Sequence, residues 1–452
     1  KFLNVCLFSI SLVILLVGIL IGALLSTEEV FYKKATKEEI NYDTEMSYYI
    51  NSTQTNELPM KVLNSKGALD QVGWTTDESL FSDQFTDINP STTQNLPFIS
   101  SFLNKNRLKK WEAYSFVSKD YVGGIFTFDF NYLGGVVFHI SKINHGKQAT
   151  TDSDSDESNK TSETSSFPLF FEYLNPLFHP QITELDYSKD VIVNNGITSE
   201  LYSQFFNTST SEVKSLLFQR TVKKNHHIKF AFQRKDFSID VDVSLRGQDK
   251  DSMVTLNPIS EDKTLFYYCV KGYNLVPSGV ITINKERIDL KGASFIYDHG
   301  RGVWPLKSGW VWIGAGGLTT EGEEFEFNAG HGFTHSVAQF TEDAFFVNGK
   351  LHKLYNIQYQ KSEEKNEHGH YNWHFSNEGS SSKNDTDNKN QNFCELEFIV
   401  TSLKDSVTRV LIADLVFNIH YGYYKGTCMD DSGKKYQISH VTGLIEEKMS
   451  LW

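Results

Sequence analysis

The sequence predicts an all-β protein, folded as antiparallel β-barrels or a sandwich in two lobes and preceded by one transmembrane helix. Among its 452 residues are 34 Phe and 21 Tyr but only 9 Pro, and aromatic residues favour half-buried strands. Short segments of alternating apolar and polar residues recur along the chain with hairpin turns between them, which is typical of barrels and sandwiches. The helix is indicated by Phe2–Leu25, which contains no charged residue.

An apolar run of roughly 20 residues can cross a bilayer as one helix, whereas the apolar core of a cleavable signal is about 7–15 residues long. Residues 1–26 are therefore predicted to be a single-pass membrane anchor, inserted in the membrane through residues 2–25, and residues 27–60 a polar stem. We expect an endomembrane or cell-surface protein with a lumenal body, or else one of an organellar membrane. The lysines after the anchor favour the opposite orientation, because positive residues mark the cytoplasmic side. Four candidate glycosylation sequons are compatible with a lumenal body: Asn51, Asn159, Asn207 and Asn384.

The N-terminal β lobe is predicted to span residues 61–250. Ile125–Phe130 places its Phe side chains on one face, and the glycines that follow predict a hairpin turn. Phe237–Leu245 has apolar residues at every second position, the clearest strand pattern of the chain. Residues 190–214 are predicted to be helical. Residues 149–166 are rich in Asp, Ser and Thr without an apolar period, which predicts a disordered insertion.

The C-terminal β lobe is predicted to span residues 251–448. Its strands are closely spaced, and Asn348-Gly349 predicts a two-residue hairpin turn. Residues 379–391 form a second polar insertion. Because a closed barrel has no free sheet edge, contacts with other subunits would have to use the insertions 149–166 and 379–391.

Candidate chemistry is concentrated in Tyr297–Gly317. Asp298 is a candidate acid, His299 a candidate proton shuttle and Arg301 a candidate orienting charge. Gly300 and Gly302 are expected to allow a sharp turn of the backbone. The alternative is a buried Asp–Arg ion pair with a cation–π stack that holds the barrel closed. The same stretch contains three indoles that would form a pocket wall: Trp304, Trp310 and Trp312.

Several classes of function are disfavoured by composition and motifs. The formal net charge of −13 argues against nucleic-acid binding, which needs a basic face. No phosphate-binding loop, nucleophile elbow or dinucleotide motif follows a strand, and we expect no cofactor and no metal site. Cys269, Cys394 and Cys428 have no C-x-x-C spacing. One disulfide among these three is compatible with an oxidising compartment, and its pairing is open.

The order of motifs resembles the domain of unknown function 2804 family over residues 62–447. The motifs are V-L-N-S-K-G from Val62, F-D-F-N-Y-L-G-G from Phe128, Y-D-H-G-R-G-V-W-P from Tyr297, N-A-G-H-G-F-T from Asn328 and V-N-G-K-L-H-K-L from Val347. The resemblance implies no established activity. His299 and Asp343 stand where the family usually has an aromatic residue and Asn. A weaker analogy links the family to lipocalin-like double barrels, which include carotenoid hydratases and fungal lipid-handling proteins.

These observations lead us to expect a membrane-anchored, lipocalin-like protein that binds a hydrophobic ligand or lipid. One alternative is a structural subunit of a larger membrane or extracellular assembly. Another is a hydratase or isomerase acting on an apolar substrate. The candidate ligand-binding residues are Trp304, Trp310, Trp312, Asn328 and His331.

Overall fold

The computed structural model describes most of the predicted body. The described residues are 47–51, 58–82, 88, 107–131, 133–143, 168–175, 193–197, 213–220, 224–233, 237–247, 249–305, 307–332, 340–355, 357–377, 392–410 and 413–451. The anchor 1–26, most of the stem, both insertions, Asn159, Asn207 and Asn384 lie outside them. No helix within the described residues is long and apolar enough to span a membrane. The anchor therefore stays a prediction without structural support.

The described chain is all-β, with two large curled sheets that form half-barrels and almost no helix. The first sheet follows the order β7-β6-β5-β4-β15-β13-β11-β10-β9-β8, with β2, β12 and β14 attached beside it. Its strands are β2 Gly73–Thr75, β4 Leu108–Val117, β5 Tyr121–Asp129, β6 Gly134–Lys142, β7 Leu169–Asn175, β8 Val193–Ile197, β9 Val213–Arg220, β10 Asn225–Gln233, β11 Ser238–Arg246, β12 Ser252–Pro258, β13 Phe266–Ile283, β14 Glu286–Ile288 and β15 Ser294–Val303. Separately, β1 Met60–Lys61 pairs in parallel with β3 Phe81–Ser82, next to a 3-10 turn, Glu78–Leu80.

The second sheet follows the order β19-β18-β17-β16-β24-β23-β22-β21-β20. Its strands are β16 Lys307–Leu318, β17 Glu324–Gly332, β18 Ala344–Val347, β19 Lys350–Lys353, β20 Ile357–Lys365, β21 Tyr371–Asn377, β22 Phe393–Val410, β23 Ala413–Met429 and β24 Lys435–Leu451. The chain passes from the first large sheet to the second between β15 and β16.

The strand pattern of the sequence explains most of these elements. In β11 the apolar residues at alternate positions are buried, while the Asp and Ser residues between them are exposed or half-buried. Asn348 and Gly349 have positive φ of 50° and 77° in the turn between β18 and β19, as expected for a two-residue hairpin. The helix predicted for residues 190–214 is wrong where the structure describes that segment, since β8 and the start of β9 are paired strands. Hydrogen bonding to neighbouring strands outweighed the weak helical periodicity of this part of the sequence.

Apolar side chains fill each curled sheet and also the space between them. The core of the first sheet includes Phe116, Phe138, Phe230, Val243 and Ile281. The core of the second includes Phe327, Trp373, Phe398, Tyr424 and Ile445. A third cluster packs the two sheets against each other and includes Trp74, Trp312, Phe346, Tyr421 and Leu444. The two half-barrels therefore enclose a buried layer between them.

The second sheet is also joined covalently. Cys394 of β22 lies directly opposite Cys428 of β23, and the two form a disulfide across the strand pair. Cys269 is a buried free thiol. The structure thus selects one of the pairings that the sequence left open.

Candidate functional site

The layer between the two sheets contains a cavity of about 110 Å³. One wall is formed by β4, β5, β6, β13 and β15 of the first sheet, and the other by β16, β17, β23 and β24 of the second. Most of the lining is aromatic or aliphatic, with a few carboxylates and ammonium groups among the rings. Four indoles contribute to it: Trp111, Trp304, Trp310 and Trp312. An apolar cavity with a few convergent polar groups is the usual form of a small-molecule site.

Lys271 is the charged centre of one end of the cavity. It lies on β13 opposite Asp298 of β15, so both side chains leave the same face of the sheet. Lys271 Nζ is 2.7 Å from Asp298 Oδ2 and 3.8 Å from Glu342 Oε2. It also lies 4.8 Å from the centre of the Trp312 ring. The ammonium is therefore held between two carboxyl groups and an indole.

Asp298 is fixed by donors from three directions. Besides Lys271, the Trp111 indole Nε1 donates to Asp298 Oδ1 over 2.8 Å, and the Cys269 thiol donates to the same oxygen over 3.2 Å. Burial alone would raise the pKa of Asp298, but the neighbouring ammonium and these hydrogen bonds hold it below its ordinary value. The carboxylate is consequently ionised and rigidly oriented at neutral pH.

Two glycines make room for the indoles. A Cβ on Gly300 would lie 2.1 Å from Cζ2 of Trp111, and a Cβ on Gly302 would lie 2.1 Å from Nε1 of Trp304. Both glycines lie within the extended strand β15. The sharp turn expected at these positions is wrong, because they serve the close approach of rings to the sheet.

Glu446 approaches the same cavity from the second sheet. Its Oε1 accepts a hydrogen bond from Trp310 Nε1 over 3.3 Å. Burial, together with the charge of Asp298, raises the pKa of Glu446 to about 7 against the opposing effect of the Lys448 ammonium. Burial likewise raises the pKa of Glu342. Two carboxyl groups with raised pKa, Glu446 and Glu342, thus share the cavity with Asp298, whose pKa is lowered.

The three polar residues predicted from the central motif do not meet. Asp298 lines the cavity, whereas His299 and Arg301 are fully buried residues outside its lining. His299 stacks on Tyr297, whose hydroxyl receives a hydrogen bond from Arg220 of β9 in the same sheet. Strand alternation sends residues 297, 299 and 301 to the face opposite Asp298. The alternative of an Asp298–Arg301 ion pair is also wrong, since the cation beside Asp298 is Lys271.

Four of the five predicted ligand-binding residues line the cavity, and the fifth holds lining residues in position. Trp304, Trp310, Trp312 and His331 all line the cavity. Asn328 lies behind it: its Oδ1 accepts from Trp312 Nε1 over 2.9 Å, and its Nδ2 donates to the carbonyl of Glu342 over 2.6 Å. Asn328 therefore positions two lining residues from behind.

Comparison with known proteins identifies the family. The sequence model of a domain of unknown function, DUF2804, matches residues 182–452. The chain belongs to this family. No curated protein matches the sequence of this DUF2804 member.

Among the solved structures with some similarity to this chain are CghA and kievitone hydratase. CghA, solved with Sch210972, has a TM-score of 0.45 and 9% identity, covering 75% of this chain and 87% of that one. Kievitone hydratase from Nectria haematococca has a TM-score of 0.37 and 12% identity, covering 75% and 88%. At this similarity neither structure carries an argument about the activity of the DUF2804 protein.

The residues that sequence reasoning missed are Trp111, Lys271, Glu342 and Glu446. They come from four segments far apart in the DUF2804 chain, and only strand pairing brings them together. Glu342 had one signal in the sequence, because it immediately precedes Asp343, which departs from the usual family residue. In the structure, Asp343 Oδ1 accepts a hydrogen bond from the backbone amide of Gly330 over 3.0 Å. A Cβ on Gly330 would lie 1.8 Å from Glu342 Oε1, so the glycine leaves space for that carboxyl group.

Proposed function

We propose that the cavity binds an apolar small molecule and catalyses acid–base chemistry on it, namely hydration of an activated carbon–carbon double bond or the reverse reaction. The observation that supports this most is a pair of carboxyl groups, Asp298 and Glu446, on opposite walls of one indole-lined cavity. Their environments move their pKa values apart, downward for Asp298 and to about 7 for Glu446. Such separation assigns one group as base and the other as acid.

In the proposed step Asp298 accepts a proton from a water molecule as the water oxygen bonds to one carbon of the double bond. Glu446 donates its proton to the other carbon, or to a conjugated carbonyl oxygen that then passes it on. The proton returns from Asp298 to Glu446 through solvent, so the enzyme ends in its starting state. Isomerisation of the double bond would use the same two groups in the same protonation states.

Lys271 keeps Asp298 ionised and also supplies positive charge near the developing oxyanion. A fixed ammonium in a water-poor site stabilises such charge better than it would in water. The cavity of about 110 Å³ limits the enclosed part of the substrate. Since an apolar cavity of about 150 Å³ takes one benzene ring, the reacting part is expected to be no larger than one ring or a short branched chain.

The experiment uses 4-phenylbut-3-en-2-one, whose conjugated absorbance disappears on hydration. We expect slow conversion by the wild-type protein, and a rate reduced about 100-fold or more by Asp298→Asn or by Glu446→Gln. Glu364→Gln, at an exposed position of β20, is the control and should leave the rate unchanged. Conversion that survives both cavity substitutions would reject the assigned acid and base.

A second candidate function is binding of a hydrophobic ligand or lipid without reaction, favoured by the largely apolar wall of the cavity. It predicts saturable binding of the enone, seen as quenching of indole fluorescence, with no product at any pH.

One of the similar structures is a hydratase by name, which agrees with the first candidate but does not argue for it at that level of similarity.

A further inference from the structure

The cavity has a second group of polar side chains, displaced from Asp298 across the first sheet. Ser115 of β4, Gly124 of β5 and His139 of β6 lie side by side across the sheet, and all three line the cavity. Ser115 is on the strand next to Asp298, two residues from its partner Ala113, whereas His139 is three strand spacings away, about 14 Å between backbones. A ligand that contacts both Asp298 and His139 is therefore elongated.

Both polar side chains present an atom to the cavity. Ser115 and His139 are each 8% exposed. Within the described part of the chain, no residue hydrogen-bonds to Ser115 Oγ or to His139 Nε2. Both atoms lie above Gly124, where an added Cβ would be 2.7 Å from Nε2 and 3.4 Å from Oγ. Buried polar atoms are normally satisfied, so these two are expected to receive a partner from a ligand or from water.

Tyr421 determines which hydrogen-bonding role the imidazole plays. The hydroxyl of Tyr421 lies 3.0 Å from His139 Nδ1, and within the described residues this nitrogen is the acceptor available to the buried phenol proton. A phenol that donates to Nδ1 places the imidazole hydrogen on Nε2. Burial also lowers the pKa of His139 to about 3, so the ring is neutral at ordinary pH. Nε2–H therefore points a donor at the cavity.

We propose that Ser115 Oγ and His139 Nε2 form a second polar subsite that binds a carbonyl or ether oxygen of the ligand, beside Gly124 and separate from Asp298. The inference rests on the proposed function in that the same cavity takes the ligand, and it defines the substrate class further. The substrate carries an apolar body with a hydrogen-bond-accepting oxygen separate from the reacting bond.

The test compares two probes with the same skeleton, 4-phenylbutan-2-one and butylbenzene, by quenching of the indole fluorescence of the full chain. A net hydrogen bond should make the ketone bind roughly threefold to tenfold more tightly than the hydrocarbon. Ser115→Ala and His139→Leu should each reduce that preference. Tyr421→Phe should reduce it as well, because without the phenol the His139 proton is no longer held on Nε2. All three should leave butylbenzene binding within about twofold, as should the exposed control Ser278→Ala.

The outcomes separate this subsite from the function on which it rests. If butylbenzene binds but the ketone has no advantage, or keeps its advantage in Ser115→Ala and Tyr421→Phe, the subsite is wrong while the apolar cavity stands. If neither probe binds to the wild-type protein, the proposed function fails and the subsite fails with it. Ser115→Ala decides the question even if His139→Leu does not fold, because it removes only one hydroxyl group.

Discussion

Removing the ammonium of Lys271 is expected to destabilise the fold strongly. The Lys271 side chain is 3% exposed and that of Asp298 16%, with 2.7 Å between Nζ and Oδ2. Lys271→Met would leave Asp298 ionised and buried beside Glu342 without a cation. Breaking a buried pair in this way costs about 3–5 kcal/mol. Asp298→Asn should cost less, because Glu342 Oε2, at 3.8 Å, remains as a partner for the ammonium.

The measurement is equilibrium unfolding in urea for the wild type, both single variants and the double variant Lys271→Met/Asp298→Asn. The double variant should lose less stability than the two single losses combined, by roughly 1–3 kcal/mol, because both partners are then gone. Lys425→Met is the control: its partner Glu397 is 2.8 Å away, but the lysine side chain is 50% exposed, so the loss should stay below about 1 kcal/mol. Additive losses, or a Lys271→Met loss no larger than that of the control, would show that the Lys271–Asp298 pair does not stabilise the fold.

Three further outcomes follow from the same structure. Gly300→Ala should lower the free energy of unfolding by about 1–3 kcal/mol and blue-shift or quench indole fluorescence. Gly272→Ala is the control: its new Cβ would meet its first atom at 3.6 Å, so the free energy of unfolding in urea should change by under about 0.5 kcal/mol. Equal effects of the two substitutions would contradict the contact between Gly300 and the indole. Burial raises the pKa of Glu326 to about 8, so the folded state binds its proton more tightly than the unfolded state. The contribution of Glu326 to stability should be complete below its unfolded pKa and be lost as pH rises through about 8. Glu326→Gln should remove this part of the pH dependence of the urea midpoint. The Cys394–Cys428 disulfide joins residues separated by 34 positions in the sequence. Replacing both cysteines with Ala should therefore lower the stability of the folded state by about 4 kcal/mol, measured by thermal unfolding. An unchanged unfolding transition would show that the bond does not form.

Much of the fold could be predicted because alternation of apolar residues is a local signal. The pattern of β11 and the turn at Asn348-Gly349 were readable without knowing any partner strand. The order of strands within each sheet was not, because pairing such as β4 with β15 joins segments separated by more than a third of the chain. For the same reason the helix expected at residues 190–214 was wrong: its strand identity depends on neighbours.

The candidate site could be predicted only in part. Asp298 and the three indoles of the central motif were identified because they are close in sequence. His299 and Arg301 were grouped with Asp298 by proximity in sequence, although the alternation rule already places them on the other face of a strand. Lys271 and Glu446 carried no local signal. Their significance comes from burial and from facing Asp298, which only the packed sheets create.

One cavity is proposed to hold a neutral carboxyl group, Glu446, and an ionised one, Asp298. Infrared difference spectra between the wild type and Glu446→Gln, recorded across a pH titration, observe the neutral carboxyl band directly. We expect a band that belongs to Glu446 and disappears near pH 7, whereas the Asp298→Asn difference should show no neutral carboxyl down to the ordinary pKa of an aspartate. A Glu446 band that vanishes near its ordinary value of 4.5 would contradict the account.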